Sequence, residues 1–260
     1  MDRAYKKKLL EQAREAVRGT RSHNAEAAKR LQQLYPEVRQ IADSGDPEFQ
    51  ELIGGIALEY MKEYEAARWY FGQAAKAGNV AALRGLGYML LRGLGGNKNP
   101  EKAVELFQAA ADEGDSAAQY NLGAMYLRGD VVPKSRDKAL HYLEAASGAG
   151  EGTASWQLGD IKLAERDYKA ARRYMELSVD QGAYVGLKEL APMCRDGVGG
   201  DVDLVRALGC FLKLLDIGDG DGMHEAHQMA DRMTDEEIRE AAAWANRDAE
   251  GESLIRRARR

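Results

Sequence analysis

Apolar residues along this chain recur at three- and four-residue spacing in short blocks, punctuated by Gly, Pro, Asn and Asp, which is the pattern of short amphipathic helices. The clearest block runs from Asp115 to Gly150. Ala118, Leu122, Met125 and Tyr126 share one face of a helix that extends from Asp115 to about Arg128, and that face must be buried. Gly129 suits a left-handed helix end, and Pro133 and Ser135 announce a second helix start. The second helix carries Ala139, Tyr142, Leu143, Ala145 and Ala146 and stops at Gly148 and Gly150.

The preceding stretch, Asn79 to Gly114, is a copy of this block. Ala82, Leu86, Gly87, Met89 and Gly93 fall on Ala118, Leu122, Gly123, Met125 and Gly129 without a gap, and Ala103, Phe107 and Ala110 fall on Ala139, Leu143 and Ala146. A glycine inside a helix costs about 1 kcal/mol in propensity. Its recurrence at Gly87, Gly123 and Gly159 therefore predicts the close approach of a neighbouring helix.

The pattern A-x-x-x-L-G-x-x-Y-x-x-G, a loop with Val and Pro, K-A-x-x-Y and then A-A-x-x-G resembles the Sel-one-like repeat, a relative of the tetratricopeptide repeat with extra residues between its two helices. The resemblance covers roughly residues 46–250. It implies an all-α, right-handed α/α solenoid of tetratricopeptide/Sel-one-like helix pairs. The organisation expected is N-terminal helices over 1–45, repeats over 46–218 (about 47–78, 79–114, 115–150, 151–182 and 183–218), and capping helices with a basic tail over 219–260.

Not every unit is equally clear. Gly55 to Ala67 and Gly159 to Ala171 span twelve residues where Gly123 to Ala139 spans sixteen, so units 47–78 and 151–182 have the shorter turn. In unit 183–218, Ala191 replaces the helix glycine and Pro192 follows, which predicts a kinked or shortened helix. Upstream, a helix from about Ser22 is expected to break at Tyr35-Pro36 and resume to Gly45 as a degenerate pair. Downstream, a helix near Gly222–Met233 precedes a capping box at Thr234-Asp-Glu-Glu that opens a helix to about Arg247.

Charge adds one feature. Residues 1–31 hold nine Lys/Arg against four Asp/Glu and residues 256–260 hold four Arg, while the whole chain is net −5, so basic ends flank an acidic body. The ends suit an acidic partner, nucleic acid or an anionic surface. Against that stands a frayed, solvated first helix and tail, because aromatics that stack on bases are missing around the basic residues beyond Tyr5. On this reading residues 1–18 are dispensable for folding. The longest apolar run near the start is Leu9-Leu10, too short for a signal or a membrane span, which predicts a cytoplasmic protein. Cys194 and Cys210 fall on the two antiparallel helices of one unit and read as reduced, buried thiols.

Candidate chemistry is sparse. Of His23, His141, His224 and His227, the pair His224/His227 with Asp231 shares a helical face that suits a divalent metal, against a solvated helix as the plain alternative. Asp216, Asp219 and Asp221 lack the spacing of a calcium loop. The runs Gly93-Leu-Gly-Gly96 and Gly197-Val-Gly-Gly200 look like phosphate cradles but recur at the inter-helix loop of the repeat. No catalytic, cofactor or metal residue is assigned.

The resemblance implies that the first helix of each unit lines an inner, concave wall that holds a protein or peptide. Counted from the repeat glycines, the inward, partner-binding positions are Arg84, Tyr88, Arg92, Tyr120, Arg128, Trp156, Asp160, Lys188 and Arg195, a set rich in the residue types of binding hot spots. An adaptor or scaffold in the bacterial cytoplasm is expected, with a partner that carries an acidic segment. An immunity or regulatory protein that blocks one dedicated effector is the alternative, and a hydrolase ranks last for want of a nucleophile and base.

Overall fold

The computed structural model describes residues 2–22, 24–218 and 220–259, whose regular structure is helical throughout. The chain divides into two compact units, Met1–Ser135 and Arg136–Arg260. The first contains α1 (Arg3–Arg21), α2 (Ala25–Asp43), α3 (Pro47–Ile56), α4 (Tyr64–Lys76), α5 (Val80–Arg92), α6 (Pro100–Asp112) and α7 (Ser116–Arg128). The second contains α8 (Arg136–Gly148), α9 (Gly152–Ala164), α10 (Tyr168–Asp180), α11 (Leu187–Asp196), α12 (Leu204–Leu214), α13 (Asp221–Ala230), α14 (Asp235–Ala245) and α15 (Asp248–Ala258). In the first unit successive helices pack on one another and α3 also touches α1 and α5, while in the second the succession holds from α8 to α13, after which α14 packs on α12 and α15 and α13 on α15.

The repeat is visible in its ends. Asn79, Asn99 and Asp115 in the first unit, and Asp167 and Asp203 in the second, each accept the backbone N–H three residues on, at 2.7–3.1 Å. Helices α5, α7 and α11 stop at left-handed Gly93, Gly129 and Gly197, whose amides return to the carbonyls of Met89, Met125 and Met193. Between the caps the expected stripes are buried: Ala82, Met89, Ala103, Phe107 and Ala110, then Ala118, Leu122 and Met125, then Ala139, Leu143 and Ala146. In α8 the stripe is narrower than the spacing predicts, since Tyr142 is half-buried and Ala145 exposed.

The repeat glycine is required by packing. A Cβ on Gly87 would stand 3.2 Å from the Phe107 ring and 3.3 Å from the Ala103 carbonyl of α6, and one on Gly159 would stand 2.9 Å from Met175 of α10. Gly87→Leu should therefore lower stability by roughly 1–3 kcal/mol although it removes a helix glycine, because the added bulk overpacks the contact. Urea denaturation reads the effect, and a variant as stable as wild type would refute the close-packing account.

In unit 47–78 the register is one residue earlier than the spacing suggests. Gly54, not Gly55, faces the helix partner, with its Cβ position 3.0 Å from Phe71, while nothing lies within 4 Å of a Cβ on Gly55. The cause is a π-helical turn over Ala57–Met61, which absorbs one extra residue between the glycine and α4 before Lys62 leaves the helix in the left-handed region (φ 59°).

The ends differ more. Helix α2 is continuous through Pro36 and does not break at Tyr35-Pro36. Proline removes one backbone bond on an exposed side, while Val38, Ile41 and Ala42 beyond it are buried, so packing overrides the local break. The first helix pair is thus α1 with α2. Nor is α1 frayed: Leu9, Ala13 and Ala16 are buried with Leu31, Val38, Ile41, Phe49 and Ile53. Three of its seven basic residues are used inside the unit, Lys6 with Asp46 (2.9 Å), Arg14 with Glu48 (2.7 Å) and Glu51 (3.3 Å), and Arg21 with Glu59 (2.6 Å). Asp46 is accordingly spent on Lys6 and does not cap α3 through its side chain. In the second unit α11 is shortened as Pro192 predicts, to 10 residues behind a 3-10 turn at Tyr184–Gly186. The capping box at Thr234 forms. The segment expected as a basic tail is α15, which buries Leu254 and Ile255.

The two glycine runs are a structural clip used twice. A Cβ on Gly95 would lie 2.2 Å from the Tyr64 carbonyl oxygen, and one on Gly199 would lie 2.1 Å from that of Tyr168. Each loop therefore rests directly on the start of the preceding unit's second helix. Beside it an arginine donates to a loop carbonyl, Arg68 to Asn97 (3.1 Å) and Arg172 to Asp201 (2.7 Å). No helix among the described residues is long and apolar enough to cross a membrane.

Candidate partner-binding face

The positions expected to face inward fall on α5 and α7 in the first unit and on α9 and α11 in the second. Arg84 on α5 bonds Asp115 at 3.0 Å, and Asp115 is itself the N-cap of α7, so this guanidinium ties two helices together. Tyr88 is 42% exposed. Arg92, one turn on, is exposed and forms no ion pair among the described residues. Tyr120 is half-buried, and the exposed Arg128 pairs with Asp130 at 3.3 Å.

In the second unit Trp156 is half-buried against the core, and its Nε1 is shut away from solvent without a hydrogen-bond acceptor among the described residues. Asp160 and Lys188 are exposed. Arg195 is held between Asp196 (2.7 Å) and Glu225 (2.6 Å). Of the nine positions, then, Tyr88, Arg92 and Asp160 are exposed with no hydrogen bond or ion pair among the described residues, while Arg84, Arg128 and Arg195 already hold carboxylates.

The first unit also has a recess of about 600 Å³ on this face. Leu58 and Tyr64 from the α3–α4 side, Phe71, and Ala81, Gly85 and Leu94 from the α5 side form its apolar walls, and Arg84, Tyr88 and Asn121 border it. It exists because two glycines leave room. Gly85 lies so close to Phe71 that a Cβ would stand 2.8 Å from the ring, and Gly55 leaves open space where α5 carries Tyr88. Glu51 and Gly55 on α3, and Glu59 in the π turn after it, are the counterparts of Arg84, Tyr88 and Arg92 once the glycine register is set on Gly54. The sequence reading assigned no inward position in unit 47–78, and a count from Gly55 would have been off by one, because a π turn has no signature in the hydrophobic pattern. The GG dipeptide at Gly54-Gly55 was the one available signal.

Charge around the recess is partitioned. Arg14 and Arg21 of α1 neutralise Glu51 and Glu59, and burial pushes the Glu51 carboxyl up, with Arg14 opposing the shift. Lys62, at the rim, is exposed and has no ion pair among the described residues. A larger cavity, about 990 Å³, lies between α10 and the loop 199–205. It belongs to the glycine clip: Arg172 is spent there on Glu176 (3.0 Å) and the Asp201 carbonyl, and carboxylates outnumber cations along its wall. On α5, by contrast, Tyr88 and Arg92 are exposed, and Arg92 has no ion pair among the described residues.

Groups suited to catalysis lie elsewhere and are poorly placed for it. Burial pushes the Cys194 thiol up to about 11 and that of Cys210 to about 12, so both are neutral and unreactive at ordinary pH, and both are free. His224 contacts Gln228 at 2.7 Å, and burial with Arg257 nearby pushes His227 down. No group of three or more His, Cys, Asp or Glu among the described residues is arranged to hold a metal. Asp216 pairs with Arg247, and His23 and Asp219 lie outside the described residues.

Comparison with protein families places Sel1 repeats on residues 57–79, 80–115, 116–151 and 155–182. Among solved structures, a Sel1 repeat protein from Oxalobacter formigenes matches with a TM-score of 0.69 at 26% identity, over 76% of this chain and 60% of its own. The protein c5321, a protective antigen of uropathogenic Escherichia coli with an SLR fold, matches with a TM-score of 0.64 at 24% identity, over 83% of this chain and 48% of its own. The chain thus spans 60% or less of the length of these relatives. No curated protein sequence matches it.

Proposed function

The chain is a Sel1-repeat protein, a member of a helical-repeat class that generally mediates protein–protein interaction, and from that premise we propose that it is a bacterial adaptor or scaffold that holds a protein or peptide on the inward face of its first helices. One observation carries the reading. Tyr88, Arg92 and Lys62 present an aromatic ring and two cations with no partner of their own among the described residues, whereas the charged groups beside them are paired. Tyrosine and arginine are the residue types that dominate binding energy where interfaces are desolvated.

The test is affinity purification of the tagged full chain from its native cell, with captured proteins identified by mass spectrometry. Wild type should retain one or more proteins that a Tyr88→Ala/Arg92→Ala double variant loses, by about tenfold in affinity or more when the purified partner is titrated. Arg84 is left intact because its replacement would also break its ion pair with Asp115, the N-cap of α7. Several partners fit a scaffold. A single stoichiometric partner fits an immunity or regulatory protein that blocks one effector. Equal capture by wild type and the double variant would overturn the inward-face assignment and return attention to the outer surfaces.

A further inference from the structure

The recess beside Tyr88 has a shape and a charge that specify an occupant, an inference that rests on the inward face being the binding face. Leu58, Phe71, Ala81 and Leu94 give it an apolar part among the charged and polar groups that make up most of its lining, and its volume of about 600 Å³ accommodates a bulky side chain. It is kept open at a cost. Gly55 lies in a helix, where glycine is disfavoured, and no atom lies within 4 Å of the Cβ it lacks, so packing does not demand glycine there. Any larger residue at that position would project into the recess.

The charges at the rim fall into two classes. Those of Glu51, Glu59 and Arg84 are answered within the unit by Arg14, Arg21 and Asp115. Lys62 at the rim is not answered, nor is Arg92, which lies outside the lining one turn beyond Tyr88, so two cations are left for a partner although the chain as a whole is net −5. The Lys62 ammonium is presented by a left-handed residue at the end of the π turn, which fixes its backbone at the rim. Tyr88 and Asn121 add a hydroxyl and an amide, neither bonded to any described residue, that can pair with a peptide backbone.

We infer that this recess takes a bulky apolar side chain from an acidic peptide segment, with Lys62 and Arg92 meeting carboxylates that flank it. Burial of the apolar group supplies affinity, and the cations select charge and speed encounter.

Random linear peptides displayed on phage, selected against the full chain, provide the test. The enriched peptides are then synthesised and titrated by fluorescence anisotropy against wild type, Gly55→Leu, Lys62→Glu and the control Glu105→Gln. Enriched sequences should carry Asp or Glu beside Phe, Trp, Leu or Met. Gly55→Leu, which fills the recess, and Lys62→Glu, which reverses its rim, should each weaken binding by about tenfold or more, and added salt should weaken wild-type binding. Glu105→Gln should bind within about twofold of wild type, since Glu105 pairs with Lys102 on the second helix of its unit. Gly55→Leu should melt at or above the wild-type temperature, and if it does not, Lys62→Glu carries the test without changing the core. Enriched peptides that are basic, that lack a large apolar residue, or that bind both variants like wild type overturn the inference; if those peptides still require Tyr88 and Arg92, the inward-face reading survives. Failure to enrich any peptide overturns the occupant and the peptide form of that reading together.

Discussion

Gly199→Ala should cost the second unit on the order of 3–5 kcal/mol, far more than a single methyl group ordinarily does. Two effects combine. Gly199 has φ +78°, where an L side chain is strained by about 1 kcal/mol, and its Cβ would lie 2.1 Å from the Tyr168 carbonyl oxygen and 2.7 Å from its carbon. Neither is the far end of a flexible side chain. The loop must therefore lift from α10, which takes the Asp201 carbonyl away from Arg172, a residue only 8% exposed whose guanidinium would be left short of an acceptor. Gly114→Ala separates the terms: φ there is +86° but nothing lies within 4 Å, so only the strain of about 1 kcal/mol is expected. Urea denaturation of the two variants side by side reads the difference. Equal losses would mean that the loop yields freely and that the clip is not a packing contact. Gly95→Ala in the first unit, 2.2 Å from the Tyr64 carbonyl oxygen, should behave like Gly199→Ala.

Removal of α1 should be at least as damaging to the first unit. A chain that lacks residues 2–22 loses Leu9, Ala13 and Ala16 from the core and uncovers the faces of α2 and α3 that held them, including Leu31, Val38, Ile41 and Leu52. At roughly 1.5–3 kcal/mol for each large apolar side chain returned to water, a loss of about 5 kcal/mol or more follows, with the ion pairs to Asp46, Glu48, Glu51 and Glu59 contributing little because they are partly solvated. Nearest-neighbour coupling in a repeat stack makes an end helix the cover for everything behind it. The expected result is an early melting step in circular dichroism and binding of an apolar dye by the exposed faces. A truncated chain that melts in one step at the wild-type temperature would show that α1 is an ornament.

This reverses the sequence-based expectation for residues 1–18, and the reason is instructive. Arg3, Lys6, Lys7, Lys8, Arg14 and Arg18 dominate the composition of that stretch and make it read as solvated, while Leu9, Ala13 and Ala16 are few and small. Their spacing of four and three is nonetheless a helical stripe, and a narrow stripe suffices when its partner helix is equally close. Pro36 misled in the opposite direction, as a local break that the burial of Val38, Ile41 and Ala42 overrides.

What the sequence by itself determined is everything that depends on residues close together in the chain. The helix pairs, their Asn and Asp caps, the glycine ends after Met89, Met125 and Met193, the capping box at Thr234 and the shortened α11 all follow from contacts three to five residues apart. The inward positions were legible only where the count from the glycine held. Tertiary structure alone decided the rest. Across the π turn at Ala57–Met61 the count slips by one, which turns Gly55 towards the recess and Gly54 towards Phe71. It also decided which charges are spent, because Arg84 reaches Asp115 and Arg21 reaches Glu59 over 31 and 38 residues of chain, whereas Lys62 reaches nothing among the described residues. Pairing over such separations depends on where the packed helices bring side chains, and hydrophobic spacing carries no record of it.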